Sequence, residues 1–447
     1  MKFFTFLFLT FSILSLRPKP VGMTSTNGDE PHYLVMSNAI IQKRTQELPT
    51  LYKEKTYLPW YENQSLPAHL IQGVYPLHQW GFPAILSTPL RLLGPKGVGL
   101  FLAFITALTL TILHNLATRY FDPKTSLYAT LFLAFSIPIS INSSAIYPEL
   151  ICMFLLSIIL ERLLTWKNNL NYYLPTFFSV LLLPWLHIKF SALLSLLLVF
   201  LIEPILNKKI TISIKKHFLP FFVFTLTGVV SILSYLFFLR NQYGTISLAI
   251  QSFTVGRGLD FHFTPYGFLG LLTDGSIGLF IYNPIFFLVF VVAISTLINK
   301  KQNLRLRFSI ILGLLYLALI GSYPDILNGF QLPNRNLLPL IPLFFIPLCQ
   351  LIQKVTKSKR YILKYVFLIF LSTSLLISLI LIIYPNLGFS YGEGNAIVNT
   401  FLPRQAKVIN QLLPKLNTII APTGPVELVK SIVLLLLFLV FGTTLFL

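Results

Sequence analysis

Residues 365–384 read YVFLIFLSTSLLISLILIIY, twenty positions without a charge. A hydrocarbon core about 30 Å thick takes roughly 20 helical residues to cross, so this stretch is long enough to span a bilayer. Similar apolar runs recur outward from it, at 3–16, 97–118, 126–141, 150–165, 173–187, 190–206, 218–239, 277–298, 308–321, 337–353 and 431–447. Together they predict about twelve spans, within a range of roughly 10–13. The runs at 126–141, 173–187 and 308–321 are the shortest, and Pro138 and Pro184 interrupt two of them. Such breaks are tolerated where protein covers the backbone.

Composition agrees. Hydrophobic residues make up 55% of the 447 and charged residues only 11%, against about 25% charged in soluble domains. The expected fold is an all-α polytopic membrane protein in which residues 1–447 form one transmembrane domain, with amphipathic juxtamembrane helices in its first outer loop. Cys152 and Cys349 both fall inside apolar runs, where a thiol behaves as a small hydrophobe, and no disulfide framework or zinc motif is readable. The N-terminal run carries Lys2 but no small-residue cleavage site before Arg17, so it reads as an uncleaved first helix.

A net charge of +20, from 34 Lys and Arg against 14 Asp and Glu, invites a nucleic-acid reading. The basic residues form no patch interleaved with aromatics, which argues against that partner. They mark orientation instead. With the N-terminus inside, Arg119/Lys124, Arg162/Lys167, Lys208/Lys209/Lys215/Lys216, Lys300/Lys301/Arg305/Arg307 and Lys354/Lys357/Lys359/Arg360/Lys364 all fall on the cytoplasmic side, as the positive-inside rule requires. Residues 17–96, 142–149, 240–276, 322–336 and 385–430 then lie outside, and so do all acids except Asp122, Glu161 and Glu203. Chemistry, if present, is expected on the outer face.

The first outer loop, 17–96, opens with Asn27-Gly28-Asp29-Glu30-Pro31-His32-Tyr33. Pro31 suits the first turn of a helix, and Tyr33, Met36, Ile40 and Ile41 give that helix an apolar stripe while Asn38, Gln42, Lys43 and Arg44 lie mostly elsewhere. This predicts an interfacial amphipathic helix. Asp29, His32 and Tyr33 cluster at its start. Capping of the helix by Asp29 is the plain structural alternative, but it leaves Glu30 unexplained. Tyr52, Tyr57, Trp60 and Tyr61 are expected to anchor at the membrane interface, or else to form a sugar-binding face. The run from Tyr75 through His78, Gln79 and Trp80 to Leu93 predicts a second interfacial helix with His78 and Gln79 at its start.

Gly28-Asp29-Glu30-Pro31-His32-Tyr33 after the first helix, Tyr75-Pro76-Leu77-His78-Gln79-Trp80-Gly81 before the second interfacial helix, and Tyr147-Pro148-Glu149 in the next outer loop together resemble the glycosyltransferase C superfamily. These polytopic enzymes transfer sugars from polyprenyl-phosphate carriers outside the cytoplasm and include protein O-mannosyltransferases, the aminoarabinose transferase and galacturonosyltransferase-like proteins. The likeness covers residues 1 to about 205 in order and spacing. It implies a bacterial inner or plasma membrane location, a polyprenyl-phosphate sugar donor, and a glycan, lipid or protein acceptor. It implies Asp29 as the catalytic acid or base, Glu30 in support, and His32, Tyr33, His78 and Gln79 as acceptor or sugar contacts. Glu149 stands where metal-dependent relatives place an acidic ligand, so Asp29 and Glu149 would share a divalent cation such as Mg or Mn. The usual Asp-x-Asp form is absent. The plain alternative for Glu149 is a carboxylate favoured by a helix N-terminus.

A leaving phosphate needs a cation, and Arg335, Lys189 and Arg257 are the candidates, with Arg240 as a helix end. Arg335 precedes Leu337-Leu338-Pro339 as in relatives, although Asn336 replaces their usual Tyr. Lys189 reads as an unpaired lysine at a membrane boundary beside His187, or as one snorkelling to the interface. Arg257 sits between Gly256 and Gly258 in the outer stretch 240–276; the stretch 385–430 is a further outer loop. A transporter or flippase of lipid-linked sugar is the alternative class, but it calls for charges at the membrane midplane. A scaffold protein leaves the acidic pair without a purpose, and an O-antigen ligase or polymerase leans on His and Arg in a late, large loop.

Overall fold

The computed structural model describes residues 2–16, 26, 28–62, 65–165, 170–198, 210–244, 246, 259–324, 332–388, 395–416 and 424–446. They are helical nearly throughout. Among the described residues, five helices are long and apolar enough to cross a membrane: Gly81–Ala117, Phe221–Tyr243, Leu304–Gly321, Arg335–Lys357 and Tyr361–Ile383. The chain is therefore an all-α membrane protein by composition and by structure. On Tyr361–Ile383, Leu368, Ile369, Leu376 and Leu379 are exposed, an apolar face of a size that water does not tolerate and lipid does.

Prolines divide two of the predicted runs, whereas the helix Leu174–Leu186 continues through Pro184. The run 126–141 becomes α5 (Pro123–Phe135) and α6 (Ile137–Ser140), parted at the extended Ser136. The run 277–298 is parted at Asn283–Pro284 between Leu279–Tyr282 and Ile285–Ile298. In each case a proline removes a donor and crowds the preceding turn. The run 190–206 is a 3-10 helix over Ile188–Leu198, and its remainder lies outside the described residues.

The described residues form two compact units. The first holds residues 1–112, 143–256 and 303–312. Its elements include α1 (Lys2–Leu16), α2 (Glu30–Ile41), α3 (Leu48–Lys53), a two-stranded antiparallel ribbon of β1 (Leu70–Ile71) and β2 (Tyr75–Pro76), α4 (Gly81–Ala117, to Ile112), α7 (Pro148–Leu164), α8 (Leu174–Leu186) and the helix Ile210–Tyr243. Helix α7 is buried on nearly every side, from Leu150 to Leu164, as expected of a helix that is apolar all round. It packs on α8, which packs in turn on Ile210–Tyr243. Helix α4 starts against α8 so closely that a Cβ on Gly81 would lie 2.3 Å from the Trp185 carbonyl oxygen. At Gly94 (φ 64°) α4 leaves helical geometry just before Pro95. This divides the arm 81–93, expected as a separate interfacial helix, from the apolar arm beyond it.

The second unit holds residues 113–142, 257–302 and 313–447. Ile285–Ile298 packs on Ile341–Lys357, which also packs on α5. Hydroxyl and amide bonds stitch these apolar helices together, with Thr296 Oγ1 donating to Gln350 Oε1 at 2.8 Å and the Ser140 and Ser378 hydroxyls 2.6 Å apart.

Candidate functional site

The site grows from a turn. Gly28 adopts φ +57°, the left-handed region glycine enters at no steric cost, and Asp29 follows as the residue preceding α2. The Asp29 backbone carbonyl accepts from His32 N (3.1 Å) and Tyr33 N (3.3 Å). Its side chain makes no capping bond, which removes capping as the reason for an acid here. Instead Oδ1 lies 3.6 Å from His69 Nδ1 and 3.9 Å from His78 Nε2.

The ribbon delivers those two histidines. Leu70 pairs with Pro76 and Ile71 with Tyr75, so His69 and His78 flank the open end of a hairpin. Its turn places Gln72 and Gly73 at φ 54° and 73°, positive at both central positions as in type I′ turns. The register closes with Leu77 N donating to His69 O at 3.1 Å. His69 Nδ1 and His78 Nε2 stand 3.4 Å apart.

His32 completes the cluster from α2. Its ring stacks on His69 with centroids 3.6 Å apart and 14° between planes, and its Nδ1 is 2.7 Å from the Tyr52 hydroxyl on α3. Burial, then the neighbouring His69 and His78, lower its pKa to about 2 against the opposing pull of Asp29. Burial also lowers His69, again against Asp29. Tyr52 is raised, by burial first. Burial thus favours the neutral form of His32 and His69. The Tyr33 ring stands 4.6 Å from that of His78 and edge-on to Phe82.

The companion acid has a different task. Glu30 is buried, and its Oε1 accepts from Ile146 N at 2.9 Å. The pair of acids thereby reaches the Tyr147-Pro148-Glu149 stretch. Glu149 lies buried in the first turn of α7 and accepts from Lys189 Nζ at 2.7 Å. The lysine expected to be unpaired is thus paired, because a buried carboxylate needs a counter-charge. The Lys189 backbone N–H donates to His187 Nδ1 at 3.2 Å.

Several expectations change with the packing. Helix α2 was expected to show one polar face, yet it is buried around its circumference from Glu30 to Ser37. The loop that follows covers it, and the Ser37 hydroxyl reaches the Tyr33 and Pro83 carbonyls at 2.8 and 3.0 Å. Tyr52, Tyr57 and Trp60 are buried inside this loop rather than presented as interfacial anchors. Leu66 N donates to the Tyr57 hydroxyl (3.1 Å) and Thr26 Oγ1 to the Trp60 carbonyl (2.8 Å).

Of the residues picked from sequence, Asp29, His32, Tyr33 and His78 meet in one place, with buried Gln79 next to His78 in the chain. Arg335 opens a 3-10 turn in the second unit after Asn334 (φ 63°). Arg240 lies in the last turn of Ile210–Tyr243, and Arg257 lies outside the described residues. Sequence reasoning missed His69, and it gave Tyr52 to the membrane interface or a sugar-binding face rather than to His32. The one signal for His69 was Gln72-Gly73 between short apolar pairs, a weak turn signature.

The expected cation can be tested against these donors. Glu149, neutralised by Lys189, offers a divalent ion less than an unshared carboxylate would. The groups facing Asp29 are imidazole nitrogens, which suit zinc, copper, iron or nickel, whereas magnesium and manganese favour oxygen donors. Compared with known proteins, the chain matches no family model and no curated protein.

Proposed function

We propose that the protein is an integral-membrane glycosyltransferase that moves a sugar from a polyprenyl-phosphate-linked donor to an acceptor on the extracytoplasmic face. The observation that carries this reading is the Asp29 carboxylate. It comes after the first apolar helix in the chain, makes no capping bond, and faces two imidazoles in a partly open site.

Such a carboxylate can take the proton of an acceptor hydroxyl as that oxygen attacks the anomeric carbon. The new carbon–oxygen bond forms while the bond from the sugar to the carrier phosphate breaks, and the phosphate departs with the electron pair. The proton then passes from Asp29 to phosphate or solvent. His78 and Tyr33 flank the acid and contact acceptor or sugar, with Gln79 beside them. His32, committed to Tyr52 and stacked on His69, orients the cluster. Glu30 holds the 146–149 segment against the start of α2. The charge of Lys189 is already shared with Glu149, which leaves it less available to a donor phosphate than an unshared cation would be.

The test is Asp29→Asn in membranes supplied with polyprenyl-linked sugar donors. Transfer is expected to fall by about 10²–10⁴-fold, the range removed with a general base, at unchanged protein level. Full activity in that variant sinks the reading. A transporter would instead move an intact lipid-linked sugar across sealed vesicles.

A further inference from the structure

We infer that Asp29, His69 and His78 form a binding site for a divalent transition-metal ion of the zinc type, a two-histidine, one-carboxylate triad built by the hairpin and the start of α2. The inference stands on the shape of the triad. His69 Nδ1, His78 Nε2 and Asp29 Oδ1 form a triangle with sides of 3.4, 3.6 and 3.9 Å. Ligands about 2.0–2.2 Å from a zinc ion stand roughly 3.3 Å apart in a tetrahedron. The two sides to Asp29 exceed an ordinary N–H···O bond, so as hydrogen bonds they are poor, whereas as edges of a coordination shell they need to contract by only a few tenths of an ångström.

The surroundings favour the same ion. Both imidazole atoms point toward one carboxylate oxygen, and two nitrogens facing each other at 3.4 Å cannot both carry a hydrogen, so at least one presents a lone pair. Side-chain exposure of 29% for Asp29, 35% for His69 and 10% for His78 leaves one side open for a water or substrate oxygen as fourth ligand, the arrangement of a metal site that reacts rather than one that only braces a fold. The ring of His32 stacks on His69 and holds it in place.

The site goes beyond the transfer reading and does not depend on it, because metal binding is measured without any sugar. The full chain, purified in detergent through a histidine-free tag and stripped with chelator, is titrated with Co²⁺ alone and followed by its visible d–d absorption, then challenged with Zn²⁺. One equivalent of Co²⁺, displaced by Zn²⁺, is expected. His69→Gln and His78→Gln are each expected to weaken Co²⁺ binding by at least about 100-fold, the upper end of what loss of a supporting residue costs, while His262→Gln, on an exposed turn of the second unit, binds as wild type. Size-exclusion profiles report the folding of each variant, and the wild-type titration decides even if a variant aggregates. No stoichiometric band in the wild type, or wild-type affinity in both ligand variants, overturns the site and leaves a hydrogen-bonded cluster. A wild type that binds Co²⁺ but transfers no sugar retains this site and rejects the transfer reading; transfer without binding does the reverse.

Discussion

At the scale of single residues, the two neighbouring acids divide their work by direction. Asp29, just ahead of the first turn of α2, faces the hairpin histidines, whereas Glu30 turns into the protein to hold Ile146. Adjacent helical positions point about 100° apart, so one motif can serve two neighbours. Glu149 and Lys189 form a buried pair with side-chain exposures of 3% and 16%. Removing one partner of such a pair strands the other charge, at about 3–5 kcal/mol. Lys189→Ala is therefore expected to lower thermal stability in detergent strongly, and Glu149→Gln combined with Lys189→Met to recover most of the loss. Equal stability of Lys189→Ala and wild type would show that the ion pair holds nothing. Asp29 and Glu30 stand out in the sequence because acids are rare there. Their separate partners were not, since His69 lies 40 residues from Asp29 and Ile146 lies 116 from Glu30.

Elements position the site through close backbone approach and through turn geometry. Gly81 opens α4 three residues after His78, with the Trp185 carbonyl where a side chain would begin. Gly81→Ala forces α4 away from α8. Overpacking of this kind costs about 1–3 kcal/mol, so a lower melting temperature and faster proteolysis within 69–80 are expected, and wild-type values for both would contradict the tight crossing. The hairpin is the element that sequence patterning caught least. Two strands of two residues each carry almost no periodic signal, yet their register decides which side chains meet Asp29. Helix breaks were easier to anticipate at Pro138, because proline acts locally. The all-round burial of α2 was not, since it depends on a covering loop whose path no local rule encodes.

At the scale of the whole molecule, the orientation expected from the distribution of charge predicts accessibility. A cysteine replacing Lys53 is expected to react with a membrane-impermeant maleimide added outside intact cells, and one replacing Lys301 to react only after permeabilisation. Cys152 and Cys349 are buried and add little background. Reversed labelling would invert the assigned topology. The sequence by itself determined that the chain is helical and membrane-embedded, because twenty uncharged residues in a row have no stable place in water and their backbone must bond within its own helix. It also marked the acidic pair. Only the tertiary structure decided that His69 and His78 join Asp29, that Glu30 reaches Ile146 and that Lys189 belongs to Glu149. Hydrophobicity and charge act through averages along the chain, whereas a site requires particular atoms within a few ångströms, and that is settled by turn geometry and packing between distant segments.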